Sequence, residues 1–500
     1  MRILSRARKE RERLARSFVG REVCANQKMQ FRGSYNGMKP TTKLRRGSVA
    51  NKAERPDIVV PEEAAGRGPF MRGELRKDQL CCPDVLAQFE QIAPHTRRSR
   101  IYFLLSAEQA KRLFVVNGPL EFEGSFSTRD GVSETRIARD IWPKPVTQIT
   151  HEEAFYWAQN SGRIGSLESR TRFLPGPELD ARKNPGTVWF VARPCFALQI
   201  LANHDKEEAE EAAKFGFSRS DVVFTLSDGA TASIRRYLRF HRPGALRDVK
   251  RNGYSILVEG AKDPFTAKRD VDALLLLASF ASRQRTLSAH WSYETQEEWI
   301  RLWQFNIGKF RKRYDGEEPV VPRDRDECRA FLQTAFDKYT ASIHQPLLEA
   351  AIYALLNQEM TLEVNVARLF SAIQGALYFA TQRPLNPKGR PHIGELYRDF
   401  LAAHPDIFDG LWPLLGSHTD APLYYLRNAI VHGEAFSEGD WTALSYAGEH
   451  LRWHLERIIL AALGWGIEKS TVSNRVLSLF TAYQGWRPER DRLAAGLVTP

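Results

Sequence analysis

Apolar residues change their period once along this chain, near Pro322. Before that point, short apolar runs alternate or cluster as strands do, at 101–105, 120–126, 188–192, 222–226, 234–240 and 254–258. Turn pairs such as Asp228-Gly229, Pro243-Gly244 and Asn252-Gly253 punctuate them. The pattern then predicts a buried helix at 272–282, a last strand at 287–293 and a helix at 297–314. Beyond Pro322 the spacing becomes helical, with helices expected at 323–358 (interrupted near Pro346), 364–381, 392–403, 421–432 and 440–465. Val366, Leu369, Phe370, Ile373, Leu377 and Ala380 share one face of the second of these. Leu444, Ala447, Leu451, Leu455, Ile458 and Ile459 form the stripe of the last. Asp420 is the expected cap of the 421–432 helix and Gly433 its stop.

The predicted fold class is therefore α+β: a β-rich N-terminal domain, either a sandwich or a mixed sheet, followed by an all-α antiparallel helical bundle. The expected organisation is a basic, poorly ordered leader at 1–97, a β-rich sensor or regulatory domain at 98–314, a hinge at 315–322, a helical domain at 323–466 and a C-terminal extension at 467–500. No internal repeat interrupts this order.

Charge sharpens the picture at one end only. Residues 1–55 hold 16 Lys/Arg against 4 Asp/Glu, an excess equal to the whole chain's net +12, so the remainder is formally neutral. Such a tail either holds a polyanion loosely or is a solvated leader, and Met29, Met38 and Met71 offer later starts. The five cysteines, Cys24, Cys81, Cys82, Cys195 and Cys328, form no CxxC pair, which points to a reducing cytoplasm and away from a disulfide framework or a zinc ribbon. No apolar run has membrane-spanning length. A phosphate-cradling GxxxxGK[ST], a GxGxxG and a GxSxG are all missing, so P-loop and serine-hydrolase chemistry have no support.

Chemistry concentrates in Arg427-Asn428-Ala429-Ile430-Val431-His432. At about 100° per residue, Asn428 and His432 nearly share a helical face, and the long Arg427 side chain reaches around to it. A permanent cation suited to phosphate and a group that titrates near neutrality are what metal-free RNA cleavage needs: a proton-transfer partner for the 2′-hydroxyl and stabilisation of the charged phosphorane. The interleaved segment 303–314 adds Lys309, Arg311, Lys312 and Arg313 as candidate RNA contacts, set against a plain amphipathic linker helix. His450 and His454, four apart, have no acid or cysteine pattern beside them and are expected side by side at a solvated bundle rim rather than on a metal.

Arg-Asn, three residues and His, late in a helical bundle, resembles the R-x4–6-H motif of HEPN domains, over roughly residues 322–466. The resemblance implies a HEPN-type bundle and a metal-independent endoribonuclease that uses no cofactor and leaves 2′,3′-cyclic phosphate ends. Arg427, Asn428 and His432 would be its catalytic set. It further implies RNA as substrate, a homodimer through the helical domain, and a toxin or abortive-infection role. The order of the two halves, and 272–291 in particular, is also similar to ApeA-type anti-phage proteins, which implies an N-terminal domain gated by an unknown trigger ligand or phage component. The sequence departs from the family in two places. Gln374 stands near a position where many HEPN domains carry an acid, and Glu434 replaces the tyrosine of toxins silenced by AMP transfer. The rival reading is a catalytically inactive HEPN module that binds nucleic acid or a nucleotide within a larger complex.

Overall fold

The computed structural model describes residues 67–497 except 78–79, 91–98, 105–118, 128–131, 144–159, 164–165, 173–186, 194, 203–221, 241–248, 295–297, 306–317, 322–323, 358–360, 386–392, 418–420, 434–435 and 437–439. Within them an N-terminal antiparallel sheet region is followed by a mostly helical C-terminal part.

Two strands occupy what the sequence assigns to the end of a leader, β1 (Arg67–Lys77) and β2 (Leu80–Glu90). They continue into β3 (Arg100–Leu104), β4 (Leu120–Ser127), β5 (Ser133–Pro143) and β6 (Asn160–Arg163). The pairing runs β4-β1-β2-β3-β6-β5 and returns to β4, so these six strands close into a ring. Met71, Leu75, Val85, Phe89, Phe103 and Phe122 belong to the separate core of this ring. Gly73 faces Gly124 across β1 and β4, and a Cβ on Gly73 would lie 1.9 Å from the Glu123 carbonyl oxygen. The close approach explains the glycine, which also hides the alternation of Met71 and Leu75 from a sequence reading.

β5 belongs to two neighbourhoods. Its Ser133–Ala138 stretch pairs with β4 on one side and with β7 (Ser166–Arg172) on the other, while Trp142 and Pro143 pair with β6. Asp140, at φ 53°, marks the change. The sheet then continues through β13 (Glu298–Gln304), β12 (Ser288–Glu294), β8 (Val188–Ala192), β11 (Val249–Glu259) and β10 (Thr231–Phe240) to β9 (Val223–Thr225). Every described pairing is antiparallel, which removes the mixed-sheet alternative, and one hydrogen-bonded sheet takes the place of the two layers of a sandwich.

β13 corrects the helix expected at 297–314. Ile300 and Leu302 face the core shared with the helices, and Trp303 faces the ring core. Burial on both faces imitates helical spacing. Arg301 lies over Trp299 and Trp303 (4.1 and 5.4 Å to the ring centroids) and reaches the buried Glu134, at 3.3 Å. Burial alone would raise the Glu134 carboxyl, but hydrogen bonds from Arg136 and Ser169 and the charge of Arg301 hold it below its ordinary value.

Helix α1 (Phe196–Leu201) is short; α2 (Pro264–Ser282) joins the two halves. Asp263 caps α2 by accepting from the Thr266 N–H at 2.7 Å, and Pro264 fits the first turn. Leu274, Leu275, Leu276 and Leu277 are all buried, as in a helix enclosed on every side, and each contributes about 1.5–3 kcal/mol. The same core continues into α3 (Arg325–Ala341), α4 (Gln345–Leu356), α5 (Leu362–Thr381), α6 (Ile393–Ala403), α7 (Leu423–His432) and α8 (Trp441–Ala462). Pro346 separates α3 from α4 by sitting in the first turn of α4. In the segment expected to be a hinge, Val320 and Val321 are buried, and the Val320 N–H donates to the Ala281 carbonyl at 2.8 Å. Arg283 clamps Glu456 of α8 with two bonds of 2.8 and 2.7 Å. At the far end, Gln333 of α3 donates to the Thr225 carbonyl of β9 and accepts from its N–H, at 3.3 and 3.1 Å. The C-terminal extension forms α9 (Asn474–Leu477) and α10 (Thr481–Leu497), which returns onto α8.

Candidate functional site

The candidate site is carried by α7. Leu423, Leu426 and Ala429 are buried on one face of this helix, and Tyr424 meets Phe370 of α5 at a centroid distance of 5.8 Å. Its N-cap is Pro422; the expected cap, Asp420, lies outside the described residues. The start of α7 is held by backbone bonds, from the Leu423 N–H to the Pro413 carbonyl at 2.9 Å and from the Tyr424 N–H to the Leu414 carbonyl at 3.0 Å. Its end is Gly433, with φ 81°, whose N–H returns to the Ala429 and Ile430 carbonyls.

On this helix Arg427 and Asn428 are half-buried and bonded to each other, Arg427 Nη1 donating to Asn428 Oδ1 at 2.9 Å. The amide oxygen of Asn428 thus fixes the guanidinium and leaves the amide NH₂ as a donor. His432 is exposed in the last turn, about 6 Å further along the axis than Asn428. Val431 beside it is 53% exposed. Gln374 is half-buried on α5, the helix against which α7 packs. Lys309, Arg311, Lys312 and Arg313 lie outside the described residues, as does Glu434.

The histidine pair on α8 is not at a solvated rim. His450 and His454 are both 0% exposed. The Trp412 N–H donates to His450 Nδ1 at 3.0 Å, so Nε2 carries the proton and donates to the Ala482 carbonyl at 3.1 Å. His454 Nε2 donates to the Trp412 carbonyl at 2.8 Å. The two rings grip one residue by its backbone, and the Trp412 indole N–H donates to the Ala421 carbonyl at 2.9 Å. Trp412 directly precedes Pro413 and Leu414, the acceptors that hold α7. Burial pushes His450 down to about 4 and His454 to about 3. Among the described residues no group of three or more His, Cys, Asp or Glu could hold a metal ion. None of the described helices is long and apolar enough to cross a membrane.

Sequence reasoning missed this positioning chain because its links come from 412–414, 421–424 and 450–454, which no single motif spans. It also missed a cleft of about 480 Å³ where the sheet region meets the helices, lined by Phe265, Lys268, Asp272, Arg285, Glu349 and Tyr353. No known family model, curated protein or solved structure matches this chain.

Proposed function

We propose that the protein is a metal-independent endoribonuclease of the HEPN type. The observation that carries the proposal is the Arg427–Asn428 hydrogen bond on α7, with His432 exposed one turn on at a glycine-capped helix end. In this reading His432 moves the proton, taking it from the ribose 2′-hydroxyl or giving it to the leaving 5′-oxygen. Arg427, held by Asn428, stabilises the charge that grows on the phosphorane. The attacking oxygen belongs to the RNA, so the products end in a 2′,3′-cyclic phosphate. A second chain brings the partner set of residues, and RNA binds between the two. The biological role is that of a toxin or anti-phage effector gated by the sheet region. The shared core through α2 supports such coupling.

One observation favours the rival reading, a HEPN module that binds nucleic acid or a nucleotide without cutting: Gln374 stands where many such domains carry an acid. Cleavage by the full chain in EDTA separates the two. The expected result is cutting of ordinary RNA, no cutting when the 2′-hydroxyl at the scissile site is removed, and loss of turnover in Arg427→Ala and His432→Ala. Equal cutting of the modified strand, or wild-type turnover in His432→Ala, refutes the assigned mechanism. RNA binding without cutting moves the assignment to the rival.

A further inference from the structure

Away from α7, helices α5 and α8 enclose a cavity of about 170 Å³. Leu355, Leu362 and Leu369 form its apolar wall, while Asn365 and Arg368 from α5 and Arg452 from α8 bring polar groups to it. Arg368 Nη2 donates to Asn365 Oδ1 at 2.7 Å. Its Nε and Nη1 are buried and have no hydrogen-bond partner among the described residues. Buried donors of a charged group are costly to leave unmatched. Burial alone pulls the Arg368 guanidinium below its ordinary value.

Arg368 has no ion pair among the described residues. Arg452, whose side chain is 9% exposed, lies 3.4 Å from Glu456, and that carboxylate is already held at both oxygens by Arg283. Two guanidinium groups, those of Arg283 and Arg452, therefore share one fully buried carboxylate. Glu449, also at the cavity, is on the exposed side of α8. Gly448 keeps the opposite wall bare, since a Cβ there would stand 3.6 Å from Asn365 Nδ2.

We propose that this cavity binds a single phosphoryl group, with Arg368 and Arg452 as its cationic donors and the Asn365 amide beside them. Arginine forks match tetrahedral oxyanions, and the volume is below the roughly 300–1,000 Å³ of sites that enclose a whole small molecule. The group enters either as free phosphate or as the end of a larger phosphate ester that projects outward. The site is separate from α7, and the proposal stands whether or not the chain cuts RNA.

The test is calorimetric titration of the full chain with inorganic phosphate and, separately, with AMP, in chloride of matched ionic strength, alongside melting curves. One phosphate should bind per chain and raise Tm. Arg368→Gln should lose about tenfold or more in affinity and, in phosphate-free buffer, be at least as stable as the wild type, because an unmatched charge has gone. Gly448→Ala keeps every charge and fits at ordinary contact distance, yet narrows the cavity; it should weaken phosphate with unchanged circular dichroism. Tighter binding of AMP than of phosphate identifies an ester as the natural source, and equal or weaker binding identifies the free ion. Absence of binding by both, to concentrations about tenfold above millimolar, overturns the proposal. So does an equal Tm rise in wild type and Arg368→Gln, which would be a general salt effect.

Discussion

Mild acid should unfold this protein, and three buried histidines set where. His450 titrates at about 4 and His454 at about 3 in the folded chain. His290, buried between Trp189 and Trp303, is pushed by burial and then by Arg301 to about 3. An unfolded histidine titrates at about 6.5. Between that value and the folded ones the unfolded chain carries the extra protons, so stability is full above about pH 6.5 and falls as the pH drops toward 4. Each histidine contributes about 1.4 kcal/mol per pH unit. From pH 7 to pH 5 the pair on α8 removes about 4 kcal/mol, and His290 raises this to about 6 kcal/mol. A domain of ordinary stability has only about 5–15 kcal/mol in total. Urea denaturation at pH 7, 6 and 5, followed by circular dichroism, measures the loss. His454→Gln keeps a donor for the Trp412 carbonyl and removes one titrating group. It should be less stable at pH 7, with a pH slope shallower by about one proton. Equal stability at pH 7 and pH 5, or an unchanged slope in His454→Gln, refutes the reasoning.

Arg457 is fully buried and donates to the Val472 and Ile407 carbonyls and to Asn474 Oδ1. Arg457→Ala should therefore cost about 3–5 kcal/mol in urea denaturation, by leaving those acceptors without a donor. Glu456→Gln leaves Arg283 and Arg452 buried without their shared carboxylate. It should cost about 3–5 kcal/mol, visible in the same assay. Gly433→Ala has open space but a φ of 81°, so its cost is conformational, about 1–2 kcal/mol, read as a lowered Tm. His432→Ala and Arg427→Ala should leave the unfolding free energy within about 0.5 kcal/mol of wild type, because His432 is exposed and Arg427 only half-buried, while lowering cleavage by ~10²–10⁴-fold.

The helices were the legible part of the sequence. α5 and α8 each keep an apolar stripe over several turns, and their observed ends lie within a few residues of those expected. Strands covered on both faces were not legible. β13 places Ile300 on one core and Trp303 on another, and β1 has glycine where an alternating pattern needs a side chain. The Arg427, Asn428 and His432 helix could be read because three chemically distinct residues fall within six positions. The roles of Trp412, His450 and His454 could not, because they depend on which backbone groups the fold brings to a ring nitrogen. A histidine spacing of four is the same at a wet rim and in a dry core.

A broad antiparallel sheet carries a risk at its margins, where unpaired backbone groups can recruit a strand from another molecule. Closing six strands on themselves leaves that end of the sheet without a margin among the described strands. At the other end β9 is three residues long, and both backbone groups of Thr225 that the Gln333 amide reaches are already occupied. The side chain of one helical residue thus stands in for a fourteenth strand. Replacing Gln333 with alanine would leave the Arg427–His432 segment and the bundle core untouched, yet reopen a template for sheet-to-sheet aggregation.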